Sequence, residues 1–203
     1  MILSKKLIIS RKYKFIYFEV PKCGTRTVLS AFNCATKYGV NNSNFDYKCK
    51  RIRWEKYKNR WDKYFKFTFV RNPFDRIVSC YISKVVNPIP IQIDVLLKPY
   101  GLWANMSFTE FVEKICESDN YNEHWAPQYL LIPEVDFIGK VENFNNDILY
   151  ITTKIGIEPL NIKIMNSSNI KNYNIFYNEK NEKLIREKYK QDFKLLGYKD
   201  AIM

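Results

Sequence analysis

A chain of 203 residues has room for one domain with a well-buried core, so residues 1–203 are read as a single unit. Its 46% hydrophobic and 16% aromatic content argues against long disorder and leaves an enzyme or a binding domain. The net charge of +12 is uneven, since residues 1–80 carry 19 Lys/Arg against 5 Asp/Glu while residues 81–203 carry 14 against 16, a field that suits polyanions and phosphorylated ligands.

Met1 to Ser10 holds a short apolar patch with no h-region or cleavage site, and no apolar run is long enough to span a bilayer, so the expected location is cytoplasmic. Lys14 to Val20 is aromatic and β-branched and stops at Pro21, which predicts a buried strand. Val28, Leu29, Ala31, Phe32 and Ala35 then recur at helical spacing, with Gly39 as the expected C-terminal cap. The basic stretch from Asn41 to Lys63, with Trp54 and Trp61 among its cations, reads as a helix or an exposed excursion.

Phe65 to Val70 alternates as a strand; Asn72 can cap, Pro73 suits a first helical position, and Phe74, Val78, Tyr81, Ile82 and Val85 make one apolar stripe. Pro88, Pro90 and Pro99 predict a loop or lid over Val86 to Trp103. A capping box at Ser107 to Glu110 starts another helix, Val135 to Gly139 reads as a third strand, and Phe144 to Ile155 as a helix closed by Gly156. Asn178 to Leu196 is a charged amphipathic helix stopped by Gly197. Strands alternating with helices predict an α/β layer structure with a mainly parallel sheet, whose ligands bind at the carboxyl ends of the strands.

Two loops fall at such ends. Pro21-Lys22-Cys23-Gly24-Thr25-Arg26-Thr27 joins a strand to a helix start. Backbone amides, a small Gly24, threonine hydroxyls and the Lys22 charge can cradle a phosphate or phosphosulfate, and a tight turn with an exposed lysine is the structural alternative. It is not a Walker A loop, because Lys22 precedes the glycine. In the second loop Arg71 leaves the strand end, and Ser79 lies on the polar side of the next helix with Asp75 and Arg76. An arginine fork and a hydroxyl suit a monophosphate; a capped helix with a solvated Arg/Asp face explains the same residues. Five cysteines (Cys23, Cys34, Cys49, Cys80, Cys116) without CxxC spacing and a single histidine, His124, argue against a disulfide framework and against a metal site, so no metal is expected.

Three further stretches stand out: Glu123-His124-Trp125-Ala126-Pro127-Gln128, Phe137-Ile138-Gly139-Lys140-Val141-Glu142-Asn143, and Tyr189-Lys190-Gln191-Asp192-Phe193-Lys194-Leu195-Leu196-Gly197-Tyr198. With the two loops, they resemble sulfotransferases that use 3′-phosphoadenosine 5′-phosphosulfate (PAPS). The similarity is closest to the carbohydrate sulfotransferases of family 2, the group with the chondroitin 4-O and HNK-1 enzymes. The resemblance implies a three-layer, P-loop-like sulfotransferase fold, PAPS as co-substrate and a carbohydrate acceptor. It implies that Lys22 meets the bridging oxygen and leaving 5′-phosphate, that Cys23, Gly24, Thr25, Arg26 and Thr27 surround that phosphate, and that Arg71 and Ser79 bind the 3′-phosphate. His124 is the expected base for the acceptor hydroxyl, with Glu123 or Glu142 as alternatives and a structural histidine packed beside Trp125 as the other reading. The chain differs from the animal Golgi enzymes in lacking a membrane anchor, a stem and paired cysteines, which again leads to the cytoplasmic expectation.

Two rivals remain open at this stage. A nucleic-acid-binding module explains the basic stretch from Lys48 to Lys63 but leaves both loops idle. A nucleotide-dependent kinase explains the loops and differs in preferring ATP. The basic stretch also suits an anionic glycan as acceptor.

Overall fold

The computed structural model describes residues 5–32, 50–52, 54, 58–157 and 172–202. Its strands are β1 (Lys5–Ser10), β2 (Phe15–Phe18), β3 (Lys50–Ile52), β4 (Phe65–Val70) and β5 (Phe137–Lys140). The main helices are α1 (Thr25–Ala31), α2 (Pro73–Tyr81), α3 (Phe108–Glu117), α4 (Gln128–Leu131), α5 (Phe144–Ile155), α6 (Glu179–Lys188) and α7 (Lys190–Leu196). The chain divides into two compact units, Met1–Arg71 with Leu130–Ser167, and Asn72–Tyr129 with Ser168–Met203.

The first unit is built on one sheet of order β3-β1-β2-β4-β5. β2, β4 and β5 pair in parallel, whereas β1 runs antiparallel to both of its neighbours, so four of the five strands point the same way. This is the mainly parallel sheet with flanking helices of an α/β fold. Phe15, Tyr17, Phe67 and Phe69 line one face, where Phe15 meets Phe32 at the end of α1 (ring centroids 5.1 Å) and Phe69 meets Phe144 of α5 (5.0 Å). On the other face Leu7, Ile16 and Phe18 cluster with Trp54, whose ring stands edge-on to Phe18 at 4.8 Å. Burial on both faces explains why β2 reads as a continuous apolar run. Gly139 pairs with Phe69 in the β4–β5 ladder, and a Cβ there would lie 2.6 Å from the Phe69 ring.

The second unit packs helices around one apolar cluster that includes Phe74, Val78, Phe111, Trp125, Ile185 and Phe193. As expected, the Asn72 side chain accepts from the Phe74 amide at 2.9 Å with Pro73 following, and Ser107 and Glu110 close a reciprocal capping box ahead of α3. Such side-chain oxygens satisfy amides that the first helical turn leaves without carbonyl partners.

Several expectations need correction. Met1 to Ser10 is more than an apolar patch, because residues 5–10 form a full strand with Leu7 and Ile8 buried. The basic stretch is not simply a helix or an exposed excursion: it contains β3, and Trp54 is 4% exposed in the core. Its residues 41–49, 53 and 55–57, like Gly39, lie outside the described residues. Val86 to Trp103 is not a loop but a run of helical turns, Pro90–Gln92, Ile93–Leu97 and Lys98–Tyr100. Pro90 and Pro99 open their turns, where a missing N–H costs nothing. The tail helix is two helices, α6 and α7, interrupted at Tyr189.

Candidate active site

In the first unit the loops after β2 and β4 leave the carboxyl ends of neighbouring parallel strands, with Phe18 opposite Thr68 in register. The Arg71 guanidinium donates from Nη1 to the Lys22 carbonyl at 3.4 Å. Lys22 (φ 73°) and Gly24 (φ 73°) both adopt left-handed backbone, which folds the loop tightly around its own amides. A non-glycine residue held in that region is uncommon and costs about 1–3 kcal/mol, a marker of functional loops. The absent side chain of Gly24 faces Val141, since a Cβ would sit 3.6 Å from its Cγ2, so the segment after β5 closes on the same loop.

The loop side chains divide by burial. Cys23 is fully buried and Thr27 is 4% exposed, so neither side chain is presented to solvent. Lys22 and Thr25 are half-buried and Arg26 is exposed. Thr25 Oγ1 accepts from the Tyr17 hydroxyl at 3.4 Å, and burial, with Glu19 nearby, holds that phenol well above its ordinary pKa and therefore a donor. α1 has only seven residues, so its dipole adds little and anion binding would rest on the loop amides and cations.

Ser79 and His124 belong to the second unit, Ser79 half-buried on α2 and His124 half-buried in a turn ahead of α4. Asn122 shapes that turn: its side chain accepts from the His124 amide at 3.1 Å and its carbonyl from the Trp125 and Ala126 amides at 3.1 and 2.8 Å. Arg76, three residues before Ser79, is not on a solvated face. It is fully buried and donates to the carbonyls of Ala126 (2.8 Å) and Glu123 (3.2 Å), which tie α2 to the turn bearing His124. Two residues of the C-terminal helices hold the same stretch. The Tyr189 hydroxyl donates to the Trp125 carbonyl at 2.5 Å, and the buried Asp192 carboxylate accepts from the Gln128 and Tyr129 amides at 2.7 and 2.9 Å.

Burial raises the Asp192 carboxyl above its ordinary value, while the two amides and Arg76 pull it back. Burial likewise raises the Tyr189 phenol, so its proton stays on the oxygen that donates to Trp125. Sequence reading missed Arg76, Tyr189 and Asp192 as parts of the site. The available signal was an arginine one residue from the apolar Ile77–Val78 pair and an aspartate beside Phe193.

The structure therefore brings Lys22 together with Arg71, and the helix of Ser79 together with the turn of His124, each pair within its own unit. Among the described residues, no group of three or more His, Cys, Asp and Glu side chains could hold a metal ion, and no helix is long and apolar enough to cross a membrane.

The description of the sulfotransferase family matches residues 5–199. The chain belongs to the sulfotransferase family. This sulfotransferase-family chain is 26% identical to carbohydrate sulfotransferase 14 of Danio rerio over 97% of its own length and 63% of that protein's. It is 23% identical to carbohydrate sulfotransferase 10 of Xenopus laevis (96% of this chain, 68% of the relative), and 23% to carbohydrate sulfotransferase 11 of Rattus norvegicus (96% and 67%). The chain spans 45% of the length of the mouse and human carbohydrate sulfotransferases 14. No solved structure matches. The arrangement places two cationic residues, Lys22 and Arg71, at the ends of neighbouring parallel strands beside the left-handed Gly24.

Proposed function

We propose that this protein transfers a sulfuryl group from PAPS to a hydroxyl of a carbohydrate, with residues 1–203 acting as one domain. Family membership supports the reaction class, and the relatives named as carbohydrate sulfotransferases support the acceptor class. The observation that carries the reading is the Arg71 guanidinium braced on the Lys22 carbonyl at the ends of two adjacent parallel strands.

In this reading Lys22, the amides of Cys23 to Thr27 and the Thr25 hydroxyl hold the 5′ end of the donor, and Arg71 with Ser79 holds its 3′-phosphate. The donor supplies an activated sulfuryl group. As the S–O bond to the acceptor forms and the bridging S–O bond breaks, negative charge grows on the leaving oxygen, and the Lys22 ammonium answers it without reorganising. The His124 imidazole takes the proton from the acceptor hydroxyl. The basic N-terminal portion suits an acceptor that carries carboxylates or sulfates.

Titration with 3′-phosphoadenosine 5′-phosphate tests the donor assignment. Saturating ligand raises Tm by mass action, and ATP at equal concentration does less. Sulfate transfer from PAPS to a panel of neutral and anionic glycans is expected, falling about 10²–10³-fold in Lys22→Ala with donor-free folding intact. Stabilisation by ATP alone, or by nucleic acid alone, overturns the reading. An acceptor preference for neutral glycans that ignores salt overturns the anionic assignment only.

A further inference from the structure

We propose that Arg76, Tyr189 and Asp192 form a buried clamp whose role is to position the turn carrying His124, so that they are positioning residues for proton transfer. The catalytic part of this inference rests on the reading of His124 as the base; the clamp itself does not.

The argument starts from what is gripped. Between Glu123 and Tyr129 five main-chain groups are held by side chains from elsewhere: the carbonyls of Glu123 and Ala126 by Arg76, that of Trp125 by Tyr189, and the amides of Gln128 and Tyr129 by Asp192. His124 lies between the first two gripped carbonyls. A guanidinium is a rigid planar fork, and its two nitrogens reach carbonyls three residues apart, which sets the curvature of the turn as well as its place.

Position in the molecule strengthens the point. Arg76 and Asp192 are each fully buried and Tyr189 is 1% exposed. Burying one cation and one carboxylate costs far more than burying aliphatic side chains of equal size, and here that cost is offset by four hydrogen bonds to the main chain of one stretch. The grip also comes from two parts of the chain, α2 through Arg76 and the C-terminal helices through Tyr189 at the α6–α7 break and Asp192 in α7. Arg76 lies within electrostatic reach of both Tyr189 and Asp192, so the three act as one network. A turn carrying a purely structural histidine needs no such device, because the Asn122 side chain and carbonyl already close it.

His124 is the single histidine of the chain, so its ring carbon-bound protons are the protein's sole imidazole NMR signals. The test uses Tyr189→Phe, which removes one hydroxyl, and Arg76→Lys, which keeps the charge and loses the fork. Each is compared with wild type for imidazole chemical shift, for the Kd of 3′-phosphoadenosine 5′-phosphate, and for kcat and acceptor KM. The expected result is a shifted or broadened imidazole signal, kcat lowered about 10–100-fold, and KM and Kd within about twofold, since displacement of a reacting group by about 1 Å costs that much in rate.

An unchanged imidazole signal in folded Tyr189→Phe and Arg76→Lys overturns the clamp. A moved signal with undiminished transfer leaves the clamp standing and overturns His124 as the base. If Arg76→Lys does not fold, Tyr189→Phe decides the question alone, because phenylalanine occupies the same cavity and only one hydrogen bond is lost.

Discussion

Arg71 donates to the carbonyl of Lys22 across the ends of β2 and β4. The same guanidinium that is proposed to bind a phosphate therefore also braces the loop proposed to hold the other end of the donor. Arg71→Ala removes both actions. A charge-assisted hydrogen bond is worth about 1.5–3 kcal/mol, so affinity for 3′-phosphoadenosine 5′-phosphate should fall by about 10–100-fold or more by calorimetry, whereas Arg71→Lys keeps part of the attraction and should recover less than half of the lost free energy.

Gly139 lies opposite Phe69, and an added Cβ would meet the buried Phe69 ring at 2.6 Å. That ring is itself packed against Phe144. Gly139→Ala should cost about 1–3 kcal/mol through overpacking, read as a drop in the urea midpoint, and Gly139→Val should cost more. A pair with Phe69→Leu should recover part of the loss, because the smaller side chain makes room.

Asp192 gives a pH signature. Its folded-state value is raised above 3.8 by burial. The folded protein then holds the proton where the unfolded chain has released it, so the contribution of this group is complete below the ordinary value and declines as pH rises through the folded one. In Asp192→Asn that decline is absent. The stability deficit of the variant against wild type, by denaturant unfolding from pH 3 to pH 7, should be largest at the acid end and shrink toward neutrality.

Cys116 is half-buried, and burial pushes its thiol up to about 12 against the opposing pull of Lys188. At pH 8 it is protonated and a poor nucleophile. Iodoacetamide labelling followed by peptide mass mapping should leave Cys116 unmodified in the native protein and modify it fully in urea. Labelling as fast as that of a free thiol in native conditions would contradict this environment.

The parts of the fold legible in the sequence are those whose signals are local. Phe65 to Val70 alternates and ends at an Asn-Pro cap, and Phe144 to Ile155 ends at Gly156; both form with those bounds. β1 was illegible because Leu7, Ile8 and Ile9 are consecutive apolar residues, a pattern that neither period explains until a sheet covers both faces. The helical turns of Pro90–Tyr100 were missed because a proline breaks a helix only where its N–H is needed. The candidate loops were readable from residue chemistry. The role of Arg76 was not: a helical wheel tells which side a residue faces, but not that carbonyls some fifty positions later will meet it.

Trp125 and Gln128 wait for partners that lie 64 residues further along the chain. At a synthesis rate of about 5–20 residues per second the intervening stretch takes about 3–13 s to appear, and closing a loop of that size costs about 4 kcal/mol in chain entropy. A nascent chain thus carries the histidine turn out of the ribosome held by Asn122 and Arg76, before Tyr189 and Asp192 can complete the grip. Shortening the tail before Tyr189 is expected to leave the turn with its Asn122 and Arg76 contacts and to strip it of those from Tyr189 and Asp192, so the grip is completed only when the C-terminal helices dock.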